Sequence, residues 1–210
     1  STSDPFNLQI QVGDVNYAPV IVAQAVVSTN EEEPVTLALS HLTVIDPDNA
    51  YPAEFTLLVS PGSNYSVTGL TITPALNFAG VLTVPVRVND GINDSQSFDF
   101  QLQVNQINDP PSFADIPNQQ VAENAPAGSL TIRQISKGPM EDDQVLTFVA
   151  TSGNTALIEN PVIQYNGKGK TASLSYVVKP NMSGTVTITV VAIDNGSNSA
   201  PHQNSYRGSF

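Results

Sequence analysis

Short stretches of this chain alternate apolar and polar residues with a period of two, and clusters of Gly, Pro, Asn and Asp separate them. That rhythm predicts β-strands over residues 20–27, 34–39, 54–59, 65–73, 81–88 and 97–104. In VLTVPVRV, residues 81–88, Leu82, Val84, Val86 and Val88 fall on one face. Pro85 falls on the other face and lacks a ladder donor, so an edge or bulged strand is expected there. Further along, Val121, Leu130 to Ile132, Val145 to Ala150, Ser173 to Val178 and Thr185 to Ile193 continue the pattern. No long stretch carries a helical period. The 16 Pro and 13 Gly among 210 residues agree with many short strands and turns, an all-β chain.

The pattern occurs twice. FNLQIQVGDVN, residues 6–16, matches FDFQLQVNQIN, residues 98–108, and each runs on into proline, at Ala18-Pro19 and Pro110-Pro111. EEEP at 31–34 matches ENAP at 123–126, and NFAG at 77–80 matches NMSG at 181–184. From that glycine, VLTVPVRVND parallels TVTITVVAID, which sets Asp90 opposite Asp194. Two copies of one module follow, each long enough for a sandwich core. Their bounds are expected at 17–108 and 109–210, with residues 1–16 as a spare strand and linker.

Charge narrows the function classes. Nineteen Asp and Glu against seven Lys and Arg give a formal charge of −12, which repels nucleic acid and anionic membrane surfaces and attracts cations. With no Cys, disulfides, thiolate metal sites and cysteine nucleophiles are excluded. No apolar run reaches the roughly 18 residues that span a bilayer, so direct membrane insertion is not expected. The two histidines, His41 and His202, have no matching third ligand for zinc. No G-x-S-x-G turn appears, and the carboxylates sit in turns and linkers, so no enzyme is expected.

The acidic and amide residues recur at matching places. In the first copy they are Glu31, Asp46 with Asp48 in IDPDNA, and Asp90 in VNDG. The second copy has Glu123, some combination of Glu141, Asp142 and Asp143, and Asp194. The linkers add Asp14 with Asn16, and Asn108 with Asp109. Calcium takes six to eight oxygen ligands, mixing carboxylates with amides and carbonyls, and these sets have that chemistry. The same residues also suit turns, where Asp and Asn side chains satisfy the local backbone, and Glu31 to Glu33 also fit a solvated patch guarding an edge strand.

VAENAPAGSLTI resembles the opening strand region of cadherin repeats, and QINDPPSF resembles a shortened form of their acidic linker. LTITPALNFAGVLTVPVRVNDG followed by VNQINDPP is more similar still to bacterial cadherin-like and dystroglycan-type tandem modules of large surface proteins. The resemblance covers almost the whole chain and implies two tandem Ig-like Greek-key β-sandwiches with calcium at module junctions. It implies one site from Glu31, Asn108, Asp109, Asp142 or Asp143, and Asp194. A second would use Asp14, Asn16, Asp46, Asp48 and Asp90, and Glu123 would face a further junction downstream. Tyr17 and Gln106 stand where the family's linker has Asp, which implies fewer ions and weak binding, about 10⁻⁴ to 10⁻³ M.

The ends of the chain raise a further expectation. Residues 4–12 repeat the last strand of the first copy, whereas the second copy reaches Phe210 where that strand should begin, and so is expected to lack it. A boundary cut through a longer array accounts for this, and so does donation of Phe6, Leu8, Ile10 and Val12 to another copy, head to tail. The expected function is an extracellular or cell-surface structural or adhesion repeat, stiffened by Ca²⁺. The alternative is a carbohydrate-binding module in which exposed Tyr51, Tyr65 or Tyr165 stacks on surface glycans.

Overall fold

A computed structural model describes residues 8–13 and 15–210. Phe6 and Asp14, both expected functional residues, lie outside the described residues. The chain divides into two compact units, Ser1–Gln106 and Ile107–Phe210. All of its long elements are strands, and among the described residues no helix is long and apolar enough to cross a membrane.

In the first unit, β1 (Val20–Gln24), β2 (Val27–Asn30) and β3 (Val35–Thr36) precede a 3₁₀ turn at Leu39–His41. Then come β4 (Leu42–Ile45), β5 (Thr56–Val59), β6 (Tyr65–Thr68), β7 (Thr71–Pro74), β8 (Gly80–Asn89) and β9 (Phe98–Asn105). The main sheet has the order β2-β9-β8-β5, opposed by β3-β7-β6, with β1 paired to β4. After β5 the chain crosses to form the β6–β7 hairpin and then returns to place β8 beside β5, the crossing connection of an Ig-like sandwich. Leu82, Val84, Val86 and Val88 are buried, as their alternation predicts, and pack with Phe100, Leu102 and Val104.

Pro85 departs from expectation because β8 is an interior strand and its pairing with β9 is unbroken. The pairing of β5 with β8 ends at Val59↔Val86, one residue short of Pro85. The Pro85 carbonyl accepts from the Ser60 N–H at 2.9 Å, so its missing donor would have pointed toward Ser60. The Tyr65 hydroxyl instead donates to the Ser60 carbonyl at 3.0 Å. The stretch expected as one strand over 65–73 is a hairpin, turned at Gly69 with φ +61°, a conformation that favours glycine. β4 was not legible because LTVI is short and its neighbour pattern begins in the preceding turn.

The second unit contains β10 (Gly128–Arg133), β11 (Thr147–Ser152), β12 (Val162–Gln164), β13 (Thr171–Tyr176), β14 (Ile188–Ile193) and β15 (Ser205–Ser209). Its sheets have the orders β10-β13-β12 and β11-β14-β15. Phe113, from the proline-stiffened linker, is buried in this core with its ring edge-on to Tyr206 at 4.9 Å. The last strand expected to be lacking is present: β15 pairs with β14 from Ser205↔Ile193 to Ser209↔Thr189. It has five residues against eight in β9. Residues 119–122, which match β2, form no strand.

Leu102→Ala removes a fully buried side chain between β2 and β8 and is expected to destabilise the first unit by about 2–5 kcal/mol. Val81→Ala, on the exposed face of β8, is expected to cost under about 0.5 kcal/mol. Denaturant unfolding of the two variants measures the difference.

Candidate functional site

In each unit a linker asparagine is tied to the aspartate that follows the long strand, and an acidic turn lies nearby. In the first unit, Asn16 Nδ2 donates to Asp90 Oδ2 at 2.9 Å. The other oxygen of Asp90 accepts from the N–H groups of Ile92 and Asn93 at 2.7 and 2.6 Å, which shapes the turn after β8. These bonds, the Asn93 N–H first and the Asn16 amide second, hold the Asp90 carboxyl below the usual carboxylate range. Asp46 Oδ1 caps the IDPDNA turn by accepting from the N–H groups of Asp48 and Asn49 at 2.8 and 2.9 Å. Asp48 Oδ2 accepts from the Tyr17 N–H at 2.7 Å, so the linker and turn are fastened together.

The second unit repeats the tie with more burial. Asn108 is buried, and its Nδ2 donates to Asp194 Oδ1 at 3.2 Å and to the carbonyls of Ser197 and Gln203 at 3.2 and 2.7 Å. Its backbone N–H donates to His202 Nδ1 at 2.6 Å, and its Oδ1 accepts from the Gln144 amide. The Asp109 N–H donates to Glu141 Oε1 at 3.2 Å, and Asp194 Oδ1 also accepts from the Gly196 N–H at 2.7 Å. Burial raises the Asp109 carboxyl pKa, because loss of water disfavours the charged form.

Gly196 and Gly138 allow this close assembly. A Cβ on Gly196 would stand 1.7 Å from Asn108 Oδ1, and one on Gly138, at φ +124°, would stand 2.0 Å from Glu141 Oε2. No side chain larger than hydrogen fits at either position without moving these groups.

Several buried oxygens have no hydrogen-bond donor among the described residues. In the first unit they are Asp46 Oδ2 and Asn49 Oδ1; in the second, Asp109 Oδ2, Gln144 Oε1 and Asp194 Oδ2. Such acceptors are costly unless something positive faces them. Among the described residues, no three His, Cys, Asp or Glu side chains form a group that could hold a metal by themselves. Any cation at these oxygens would have to draw on amides, backbone carbonyls or water as well.

The expected residues are sorted unevenly by the fold. Asn16, Asp46, Asp48 and Asp90 gather at one end of the first unit, and Asn108, Asp109 and Asp194 at one end of the second. Glu31 is buried and its N–H donates to the Asn105 carbonyl at 2.9 Å, whereas Glu123 at the matching position is exposed. Asp142 and Asp143 are exposed, and Glu141 takes the inner place with Gln144. Its signal was present: Asp46, the first acid of its turn, is the one that caps it, and Glu141 is likewise the first acid of EDDQ.

Both histidines act on backbone, since His41 Nδ1 accepts from the Ala38 N–H at 3.2 Å. The three tyrosines expected to be exposed are not. Tyr65 is buried, and Tyr51 and Tyr165 are half-buried with edge-on contacts to Phe55 and Phe148. Their hydroxyls donate to backbone carbonyls, which explains their positions by packing. Leu8, Ile10 and Val12 are exposed and belong to no strand.

Residues 16–103, which fall within the first unit, match the family model described as Bacterial Ig domain. Comparison with the curated proteins gives no match. Among solved structures, domains 4 and 5 of the S-layer protein SbsC are 12% identical, with 91% of this chain and 94% of that one covered at a TM-score of 0.29. Protocadherin Gamma B2 extracellular cadherin domains 1–5 are 19% identical, covering 95% of this chain and 40% of that one at a TM-score of 0.48. The adhesin InvE of Yersinia pseudotuberculosis is 14% identical, covering 92% and 58% at a TM-score of 0.22.

Two outcomes test this local chemistry. Gly196→Ala is expected to displace the Asn108 amide and destabilise the second unit by about 1–3 kcal/mol, read from its unfolding transition. The lowered pKa of Asp90 contributes stability that is present above the ordinary carboxylate value and lost as pH falls through the lowered one. Asp90→Asn keeps an oxygen for the turn and removes the titration, so acid unfolding of the first unit is expected to become less steep below about pH 4.

Proposed function

We propose that this pair of Ig-like sandwiches is a structural repeat of a surface or extracellular protein, stiffened by calcium held at the oxygen cluster of each unit. The carrying observation is the set of buried, donorless oxygens at matching ends of the two units: Asp46 and Asn49 in one; Asp109, Gln144 and Asp194 in the other. Carboxylate and amide oxygens with no nitrogen or sulfur ligand favour a hard cation. Asn16, Asp48, Asp90 and Asn108 supply the surrounding oxygens in this reading, with Glu31 just past β2; Asp14, which lies outside the described residues, and Glu123, preceded by no strand, are the further candidates. Asp142 and Asp143 contribute through the charge of their turn.

When bound, calcium supplies positive charge to carboxylates that otherwise repel one another. The Asn–Asp ties orient those carboxylates beforehand; Asp194 gives its Oδ1 to the Asn108 amide and the Gly196 N–H, which leaves its Oδ2 for the ion. In this reading the modules join to further copies head to tail, by a donated strand, and the assembly has a mechanical rather than a chemical task. The packed tyrosines offer no stacking face to surface glycans, which disfavours the carbohydrate-binding alternative.

Thermal unfolding of the full chain in 10 mM calcium and then in chelator tests the reading. For a dissociation constant of about 0.1–1 mM, calcium is expected to add about 1.4–2.7 kcal/mol per occupied unit. Asp194→Asn should remove the gain from the second unit alone. Equal unfolding curves in calcium and chelator would contradict the proposal.

A further inference from the structure

We infer that one face of the second unit, the outer surface of the β10-β13-β12 sheet with the loop of residues 165–170, binds an acidic polysaccharide. The inference is independent of the calcium reading and rests on the opposite charge.

The acid excess of the chain is unevenly shared. Residues 1–106 hold 11 Asp and Glu against a single cation, Arg87, whereas residues 107–210 hold eight against six Lys and Arg. Three of those six stand together. Arg133, the last residue of β10, pairs with Thr171, the first of β13, and the Ile135 N–H donates to the Lys170 carbonyl at 3.2 Å. Lys168 lies two residues earlier in the same loop. All three are exposed, and among the described residues none of them makes an ion pair or a side-chain hydrogen bond. Lys137, Lys179 and Arg207, by contrast, are engaged with the Asp142 carbonyl, Glu159 and Thr189. The neighbouring acid Asp115 follows Ala114, whose N–H donates to the Arg133 carbonyl at 2.9 Å, but it is exposed and does not pair with Arg133.

The first unit shows that the fold does not require these cations. Its β6–β7 hairpin turns through residues 69–70, whereas the corresponding β12–β13 hairpin uses residues 165–170, YNGKGK. Thr36 of β3 stands in the place of Arg133, since each pairs with the threonine that opens the return strand, Thr71 or Thr171. The longer loop is nonetheless held in one shape. The Asn166 side chain accepts from the Lys168 N–H at 3.0 Å, and the Tyr165 hydroxyl donates to the Gly169 carbonyl at 3.2 Å. Gly167 and Gly169 adopt φ of +76° and +80°, which glycine allows. The two lysines therefore extend from a fixed backbone, which reduces the ordering cost of meeting an anion.

The adjoining face decides the class of anion. Ile132, Ala172 and Leu174 are buried, so Thr131, Ser173 and Gln164, aligned across three strands, lie on the outer face. With Thr171 and Asn166 they line a shallow groove of about 380 Å³ that reaches the cationic corner, and none of the residues lining it is acidic. Hydroxyl and amide groups both donate and accept, which matches the hydroxyls of a sugar chain, while the three cations match its acidic groups. A protein partner calls for an aromatic or apolar anchor, and Tyr165, the aromatic residue in the lining, is half-buried against Phe148. The contact is thus ionic and hydrogen-bonded, without ring stacking. At physiological salt, charges act over about 8 Å, so a local cluster governs its ligand despite the net charge of −12.

Affinity electrophoresis of the full chain in chelator, through gels holding polygalacturonate, its fully methyl-esterified form or polyglutamate, tests the assignment. Polygalacturonate is expected to retard the chain, and the neutral ester, with the same sugar backbone, is not. Polyglutamate carries the charge without the sugar and is expected to bind more weakly. Lys168→Ala with Lys170→Ala is expected to weaken binding to polygalacturonate about tenfold, whereas Lys179→Ala, which removes a cation already paired, leaves it within about twofold. Retardation of the unaltered chain is expected to fade as salt is raised, a measurement that stands if a variant does not fold.

Equal retardation by polyglutamate or by the neutral ester, or binding that survives the loss of both lysines, would overturn the assignment. So would sedimentation showing that the same two lysines hold copies of the chain together without polymer, which would give the face to an acidic protein surface. Because calcium is absent throughout, failure here leaves the calcium reading standing, and equal unfolding curves in calcium and chelator leave this one standing.

Discussion

The hydrogen bond from a linker asparagine to the aspartate after the longest core strand is the constraint on which each unit's functional end depends. Asn16 bonds Asp90, and Asn108 bonds Asp194, in two stretches that repeat in sequence. The asparagine has donors as well as an acceptor, so it can hold a carboxylate without neutralising it. The aspartate uses one oxygen to accept turn N–H groups, which fixes the chain as it leaves the strand. An aspartate fixed in this way keeps its carboxylate in one orientation.

The two units reach this arrangement with different degrees of burial. In the first, the Asp90 carboxyl is stabilised as the anion by N–H donors and the Asn16 amide. In the second, Asp109 is pushed toward its neutral form by loss of water, while Asn108 is buried and bonded on every side. The close approach of Gly196 to Asn108 shows how little slack remains. A buried carboxylate without charge compensation is costly, and a cation at this end would lower the same pKa that burial raises.

The fold was legible in the sequence where one physical rule acted alone. Alternation identified the buried face of β8, and internal repetition paired Asp90 with Asp194. Where rules competed, the sequence was ambiguous. Pro85 suggested an edge, but β8 is interior: the pairing of β5 with β8 stops one residue short of Pro85, whose missing N–H would have faced Ser60. Asp142 and Asp143 looked like ligands by composition, yet the turn directs Glu141 inward, an outcome set by Gly138 and tertiary packing. The tyrosines looked exposed because they sit near turns; their hydroxyls are used to satisfy backbone carbonyls. Module ends were the hardest to read, since the short β15 carries only part of the pattern that marks β9.

The central claim is that a hard cation belongs against the donorless oxygens of the Asn–Asp clusters. Anomalous diffraction from crystals of the full chain grown with calcium and then exchanged with terbium tests it most directly. The account predicts a peak within coordination distance of Asp194 Oδ2 and Asp109 Oδ2, about 2.3–2.6 Å for calcium. Ordered water or a protein donor at those oxygens, with no peak in either crystal, would contradict it.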